Sequence, residues 1–393
     1  MEISRRSLLT STAFGAGLLL VPGLRSAASA QTVNQTAKRV IGNYEAPGLY
    51  DQAAQEVVTD RDDGYHNDGN PRHYEWWYFD LFTQSGLKAA VILMDRPLIM
   101  LDNPDLAPML MLNVELPDGT NRDFQVPFPG VDFIASEEHC DVKLGNNWCK
   151  GRYPNWQLHA EHDDVVVDLE LVATVESWRA GSGAMYFDEA LTVFNAHVVP
   201  APRAVVNGTI QVAGETIAIK DGHGYHDHNW GNAGIEGVLK AWHWGRAECG
   251  DFTLNFSYIQ HNADYGNKVV CKFMLAKGSE ILLSTGEFED SFVGEIHVGP
   301  LSGNGWPDGF LIETPYDGDM IRIEISGNHL LSDALNSDRQ PDDETARPGY
   351  IRLGGDIRMT VPLAGGTEVA TGNIIHEMSF SESIPKAKAN WLL

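Results

Sequence analysis

The chain has 393 residues, 28 of them basic and 54 acidic, for a net charge of −26. That balance argues against a binder of phosphate backbones and suits a soluble molecule. The length exceeds one average core and favours two domains, while the 4 cysteines form no Cys-x-x-Cys pair and leave zinc-knuckle and thiol-redox motifs unsupported.

In chain order, the first signal is Ser4-Arg5-Arg6 followed by a mildly apolar run and then Ala28-Ser29-Ala30. This reads as a twin-arginine export signal over residues 1–30, with a mature chain starting near Gln31 in the periplasm or outside the cell. The run is shorter than the ~20 apolar residues a membrane span needs, so no stable span is expected in the mature chain. Loss of Glu2, Arg5, Arg6 and Arg25 with that segment leaves 25 basic and 53 acidic residues, a net charge of −28. Residues 51–59 read as a short helix. Elsewhere, runs of four to eight residues rich in Val, Ile, Phe, Tyr and Trp recur between Gly, Asn, Asp and Pro clusters, as at 88–94, 165–172, 252–259 and 269–275. The last two read as a hairpin around residues 262–266.

Cys140 and Cys149 flank the turn signal Leu144-Gly145-Asn146-Asn147, which sets them facing across a hairpin, either oxidised after export or left as thiols. Val199-Pro200-Ala201-Pro202-Arg203 interrupts the strand pattern and predicts a domain seam, giving units of residues 43–202 and 203–393. Residues 341–348, charged and poor in apolar side chains, read as a surface loop. Many short antiparallel strands over this length predict an all-β chain of two barrels, because closure removes exposed strand edges. A weak repeat supports duplication: the turn Gly64-Tyr65-His66-Asn67 precedes the strand holding Trp76, and the turn Gly224-Tyr225-His226-Asp227 precedes the one holding Trp242.

Two clusters stand out. In His73-Tyr74-Glu75-Trp76-Trp77-Tyr78-Phe79-Asp80, strand alternation sends Tyr74, Trp76 and Tyr78 to one face and Glu75, Trp77 and Phe79 to the other. Both faces are aromatic, so one can pack a core while the other lines a pocket. In Gly222-His223-Gly224-Tyr225-His226-Asp227-His228-Asn229-Trp230-Gly231, read as a loop, polar groups gather among glycines, as a site or as a barrel-closing plug of satisfied hydrogen bonds. No metal is expected: His223, His226, His228 and Asp227 offer ligand atoms, but the spacing matches no metal motif.

Together the two segments resemble the carotenoid 1,2-hydratase, or hydroxyneurosporene synthase, family, to which lipocalin-like fungal Diels-Alder cyclases are similar. The resemblance implies two lipocalin-like barrels in tandem, chemistry on polyenes or terpenoids, and no cofactor. It also places the family's acid on Asp227, with Tyr225 beside it, and an upstream histidine on His197.

The expectation is a hydro-lyase or cyclase acting on an apolar small molecule, with no nucleic-acid partner. Protonating an alkene needs a dry acid, and a carboxyl in an apolar pocket holds its proton. Asp227 is the expected acid, oriented by Tyr225 and His226. Trp76, Trp77, Trp230 and Trp242 are expected to face the cation, and Tyr78, His197 and His228 to complete the binding set. The alternative is a carrier of an apolar ligand without catalysis.

Overall fold

The computed structural model describes residues 37–45, 57–98, 101–288, 295–298, 309–333, 345–346, 349–380 and 384–385. The export signal and the mature start near Gln31 lie outside them. Of the short helix expected at 51–59 only 57–59 are described, and these are not helical; a 3-10 turn follows at Asp60–Asp63. Of the expected loop at 341–348, Thr345–Ala346 is described, and it pairs with Ile384–Pro385. No helix among the described residues is long and apolar enough to cross a membrane.

The chain is all-β and builds two barrel-like sheets. The first holds β1 (Tyr74–Phe82), β2 (Lys88–Arg96), β3 (Met109–Glu115), β4 (Asn121–Pro127), β5 (Phe133–Ala135), β6 (Asp141–Leu144), β7 (Asn147–Arg152), β8 (Asn155–His162), β9 (Val165–Ala173), β10 (Ala184–Tyr186), β11 (Phe194–Val212) and β12 (Glu215–Gly231). After the single turn α1 (Ile235–Val238), the second holds β13 (Leu239–Cys249), β14 (Phe252–His261), β15 (Val269–Lys277), β16 (Glu280–Phe288), β17 (Glu295–Val298), β18 (Phe310–Tyr316), β19 (Asp319–Asp333), β21 (Gly349–Leu363) and β22 (Gly366–Phe380), with β20 (Thr345–Ala346) and β23 (Ile384–Pro385) apart from it.

Their strand orders correspond. The first runs β4-β3-β2-β1-β12-β11-β9, the second β16-β15-β14-β13-β22-β21-β19, so in each the opening strand pairs with the closing one. The Trp-rich strands β1 and β13 therefore occupy equivalent places, as a duplication requires. The Gly-Tyr-His element does not repeat as a turn, because Gly224–Asp227 lies mid-strand in β12, paired with β1. Each sheet encloses its own core, Trp77, Phe79, Leu93, Leu112 and Leu158 in the first and Phe256, Phe273, Ile323, Leu353 and Met359 in the second. A third cluster, including Tyr78, Phe82, Tyr225, Trp244 and Met274, joins the outer faces of the two sheets.

The seam expected at Pro200 and Pro202 is corrected by the pairing. β11 runs through both prolines, and residues 204–231 stay in the first sheet; the change of sheet falls between Gly231 and Leu239. The prolines mark register shifts between Val198 and Ala201 and between Ala201 and Ala204, since a residue without an N–H fits a sheet where the ladder is interrupted. The hairpin at 262–266 forms as expected: the Asn262 side chain accepts from the Asp264 amide and Gly266 closes the turn at φ 70°. Cys140 and Cys149 do face each other, as thiols with their sulfurs 3.7 Å apart.

Candidate functional site

Strand alternation divides the candidate residues between two environments. Tyr74, Trp76 and Tyr78 on β1, and Asp227 and Asn229 on β12, point outward from the first sheet toward β13, β14, β15 and β22 of the second, where a cavity of about 220 Å³ lies between them. Trp242, Trp244, Ser257, Lys272, Tyr350 and Glu377 close it from the other side, and Met94, Met109, Met111 and Met185 fill in its walls. Of the residues expected in the site, Trp76, Tyr78, His197, Asp227 and Trp242 line this cavity. Tyr225 stands just behind: its hydroxyl donates to Asp227 Oδ2 at 3.0 Å and accepts from Asn255 Nδ2 at 3.0 Å.

Trp77, His226, His228 and Trp230 are on the opposite face, inside the first barrel, and the structure does not bring them to the cavity. The indole of Trp77 stacks on His228 and donates to the Asp63 carbonyl at 3.0 Å. Trp230 stacks on His66 with ring centroids 3.9 Å apart. His226 stacks on Phe79, and its two ring nitrogens face the Tyr78 carbonyl at 2.9 Å and the Asp63 carboxylate at 3.1 Å. Both partners accept, so the ring carries both protons; burial works against that charge, but Asp63 and Cys140 together raise the pKa to about 10. His226 thus anchors the turn at Asp60–Asp63 rather than orienting Asp227. The reason is the two-residue period: on one strand Asp227 cannot share a face with His226, His228 or Trp230.

Two groups of metal-ligand side chains occur among the described residues in this barrel, Asp63 with Cys140 and His226, and Glu75 with His66 and His228. Their donors engage one another. The Glu75 carboxyl meets His66 Nδ1 at 2.9 Å, His73 Nε2 at 2.9 Å and His228 Nε2 at 2.7 Å. Burial drives Glu75 well above the usual carboxylate range and His66 and His228 well below the usual imidazole range, which favours neutral forms. Of the second cluster, His228 belongs to this network and Asp227 does not.

In the cavity, Asp227 accepts from Asn229 Nδ2 at 2.8 Å as well as from Tyr225, and His197 Nε2 lies 3.8 Å from it. Burial lowers the His197 pKa. Across the cavity Glu377 accepts from the Tyr350 hydroxyl and, at 3.3 Å, from Arg352 Nη2. Burial nonetheless raises its pKa, with Arg352 opposing and Asp227 adding to the rise.

Glu377 escaped the sequence reading, yet pairing makes it the counterpart of Asp227. One row across the first sheet reads Asp227, Tyr78, Ile92, Met111, and the equivalent row across the second reads Glu377, Trp244, Ser257, Lys272. The next rows read Asn229, Trp76, Met94, Met109 and Ser379, Trp242, Ile259, Val270. The signal available in the sequence was a lone acid in the apolar run Ile374-Ile375-His376-Glu377-Met378.

Two barrel-like sheets with a cavity between their outer faces define an all-β two-barrel protein. Solved structures share the fold: CghA with Sch210972 (TM-score 0.60, 12% identity, 85% of this chain and 98% of that one), a putative AttH from Nitrosomonas europaea (0.59, 17%, 86% and 99%) and kievitone hydratase from Nectria haematococca (0.53, 14%, 88% and 98%). Among curated proteins, the quinolone epoxide rearrangement protein penF of Penicillium thymicola is 39% identical over 62 residues, 16% of this chain and 16% of its own length. No family model matches.

Proposed function

We propose that the protein is a hydratase or cyclase whose apolar terpenoid or polyene substrate lies in the cavity between the barrels. The observation that carries this reading is the pair of carboxyls, Asp227 and Glu377, set at equivalent positions on facing aromatic walls. The names of the proteins sharing the fold, a hydratase among them, and of the partial relative, an epoxide rearrangement protein, support the same class.

Glu377, whose pKa burial raises against the pull of Arg352, gives its proton to an alkene carbon, and the π electrons form the new C–H bond. The cationic carbon faces the rings of Trp76, Trp242 and Trp244, whose attraction grows as water is excluded. A water oxygen, or a second double bond or hydroxyl of the same substrate, closes the remaining bond, and Asp227 takes up the proton then released. Capture of water gives hydration; internal capture gives a ring, with cavity shape choosing the product. With residues 1–30 read as an export signal, the proposed place of action is the periplasm or the cell exterior.

The test is incubation with acyclic terpenoids in D2O, followed by mass spectrometry and NMR. Conversion should leave one deuterium on carbon, with the mass of one water gained only on hydration. Asp227→Asn and Glu377→Gln, each keeping shape but not proton transfer, should lower turnover by about 100-fold or more while binding persists. Binding by the wild type without conversion of any member of the panel would point to a carrier, and full turnover by either variant would reject that residue's role.

A further inference from the structure

The two halves of the cavity are not chemically alike, and the only charge in the difference falls on one residue of these paired rows. Where the row of the first sheet ends in Ile92 and Met111, that of the second ends in Ser257 and Lys272. Lys272 stands mid-strand in β15 between Cys271 and Phe273, 5% exposed, and lines the cavity. Its ammonium has no hydrogen-bond or ion-pair partner among the described residues; it feels Asp227 only at a distance, and burial brings its pKa down to about 8. Duplication had an apolar side chain available for this place, as Met111 shows. A buried ammonium with three donors and no acceptor is instead an incomplete site, because burial of an unpaired charge is unfavourable until something accepts from it.

Resting on the reading of the cavity as the substrate site, we infer that Lys272 anchors the ligand's head group and that this head is a neutral carbonyl oxygen on an apolar body. A pure hydrocarbon leaves the ammonium unsatisfied. An anionic head is opposed by Asp227, which shares the cavity and already holds Tyr225 and Asn229. A carbonyl accepts from Lys272 without that repulsion, and its chain runs onto Trp76, Trp242 and the methionines of the first sheet. Lys272 therefore sets the ligand's direction in the cavity, with the head at the second sheet.

The cavity tryptophans supply the readout. Binding of 2-decanone, decane and decanoate is followed by tryptophan fluorescence in the wild type, in Lys272→Met, which copies the residue of the equivalent position, and in Lys272→Gln, which keeps a donor; circular dichroism confirms folding of each. The wild type should bind 2-decanone at least about tenfold more tightly than Lys272→Met, decane equally in both, and decanoate more weakly than the ketone, with Lys272→Gln between. Ketone affinity unchanged in Lys272→Met overturns the anchor while leaving the cavity as the ligand site. Decanoate as the tightest probe overturns the neutral head. If no probe perturbs the wild type, the cavity reading falls and this inference with it.

Discussion

At the scale of single residues, the same side-chain type does opposite work according to the face it occupies. His197 looks into the cavity, whereas His226, on β12, looks into the first barrel and is held as an imidazolium by Asp63. The folded pKa of about 10 exceeds the ordinary 6.5, so the stabilisation from this pair is complete below about pH 6.5 and is lost as pH rises through about 10. Asp63→Asn removes the partner of a buried charge and should cost about 3 kcal/mol at neutral pH. Urea titrations should show the gap between wild type and Asp63→Asn narrowing from pH 7 to pH 10; a gap constant over that range would show the ring to be neutral.

At the scale of elements, the β11–β12 pair shifts register three times along its length, and its irregularities have local causes. The prolines at 200 and 202 sit at its register shifts. At its far end Gly231 lies at φ 156°, and an added Cβ would stand 2.3 Å from the Phe194 carbonyl oxygen. Backbone cannot yield as a flexible side chain does, so Gly231→Ala should destabilise by about 2 kcal/mol, read as a shift of the urea midpoint at unchanged slope. Because Gly231 follows the stretch that carries Asp227 and Asn229, that variant should also weaken ligand binding at the cavity; wild-type affinity would show that the strand end and the site are independent.

At the scale of the whole molecule, the barrels are joined by packing and by a buried charged chain. Tyr78 donates to Asp80 Oδ2 at 2.7 Å, Arg246 of the second sheet donates to Asp80, and Arg246 Nη1 reaches Glu248 at 3.3 Å. Arg246 also covers the Phe82 ring with its guanidinium 4.4 Å from the centroid. Asp80→Ala leaves an arginine buried beside one remaining acid, and should lower stability by about 3–5 kcal/mol. The double variant Asp80→Leu with Arg246→Met, which removes both charges and keeps volume, should recover most of that loss, as judged by urea unfolding. Failure to recover would mean that the bridge fixes the approach of the two sheets and not only its own charges.

What the sequence determined by itself was local and periodic. Alternation in residues 74–80 assigned Tyr74, Trp76 and Tyr78 to one face and Glu75, Trp77 and Phe79 to the other, because successive side chains on a strand must point to opposite sides. The same rule applied to residues 225–230 would have separated Asp227 from His226, His228 and Trp230; that segment read as a loop because its glycines signal irregular backbone, whereas in β12 glycine lets neighbouring chains approach closely, as Val206 does at Gly224. Two barrels were legible from strand density. Their seam was not, since a proline reports only a missing donor, and a bulge satisfies that as well as a boundary does. Only the tertiary structure decided that the cavity lies between the barrels rather than inside one, and that Glu377 and Lys272 belong with Asp227. Those residues are separated from Asp227 by 150 and 45 positions in the chain, and what brings them together is the pairing of first strand with last in each sheet and the packing of the two outer faces, which no local pattern encodes.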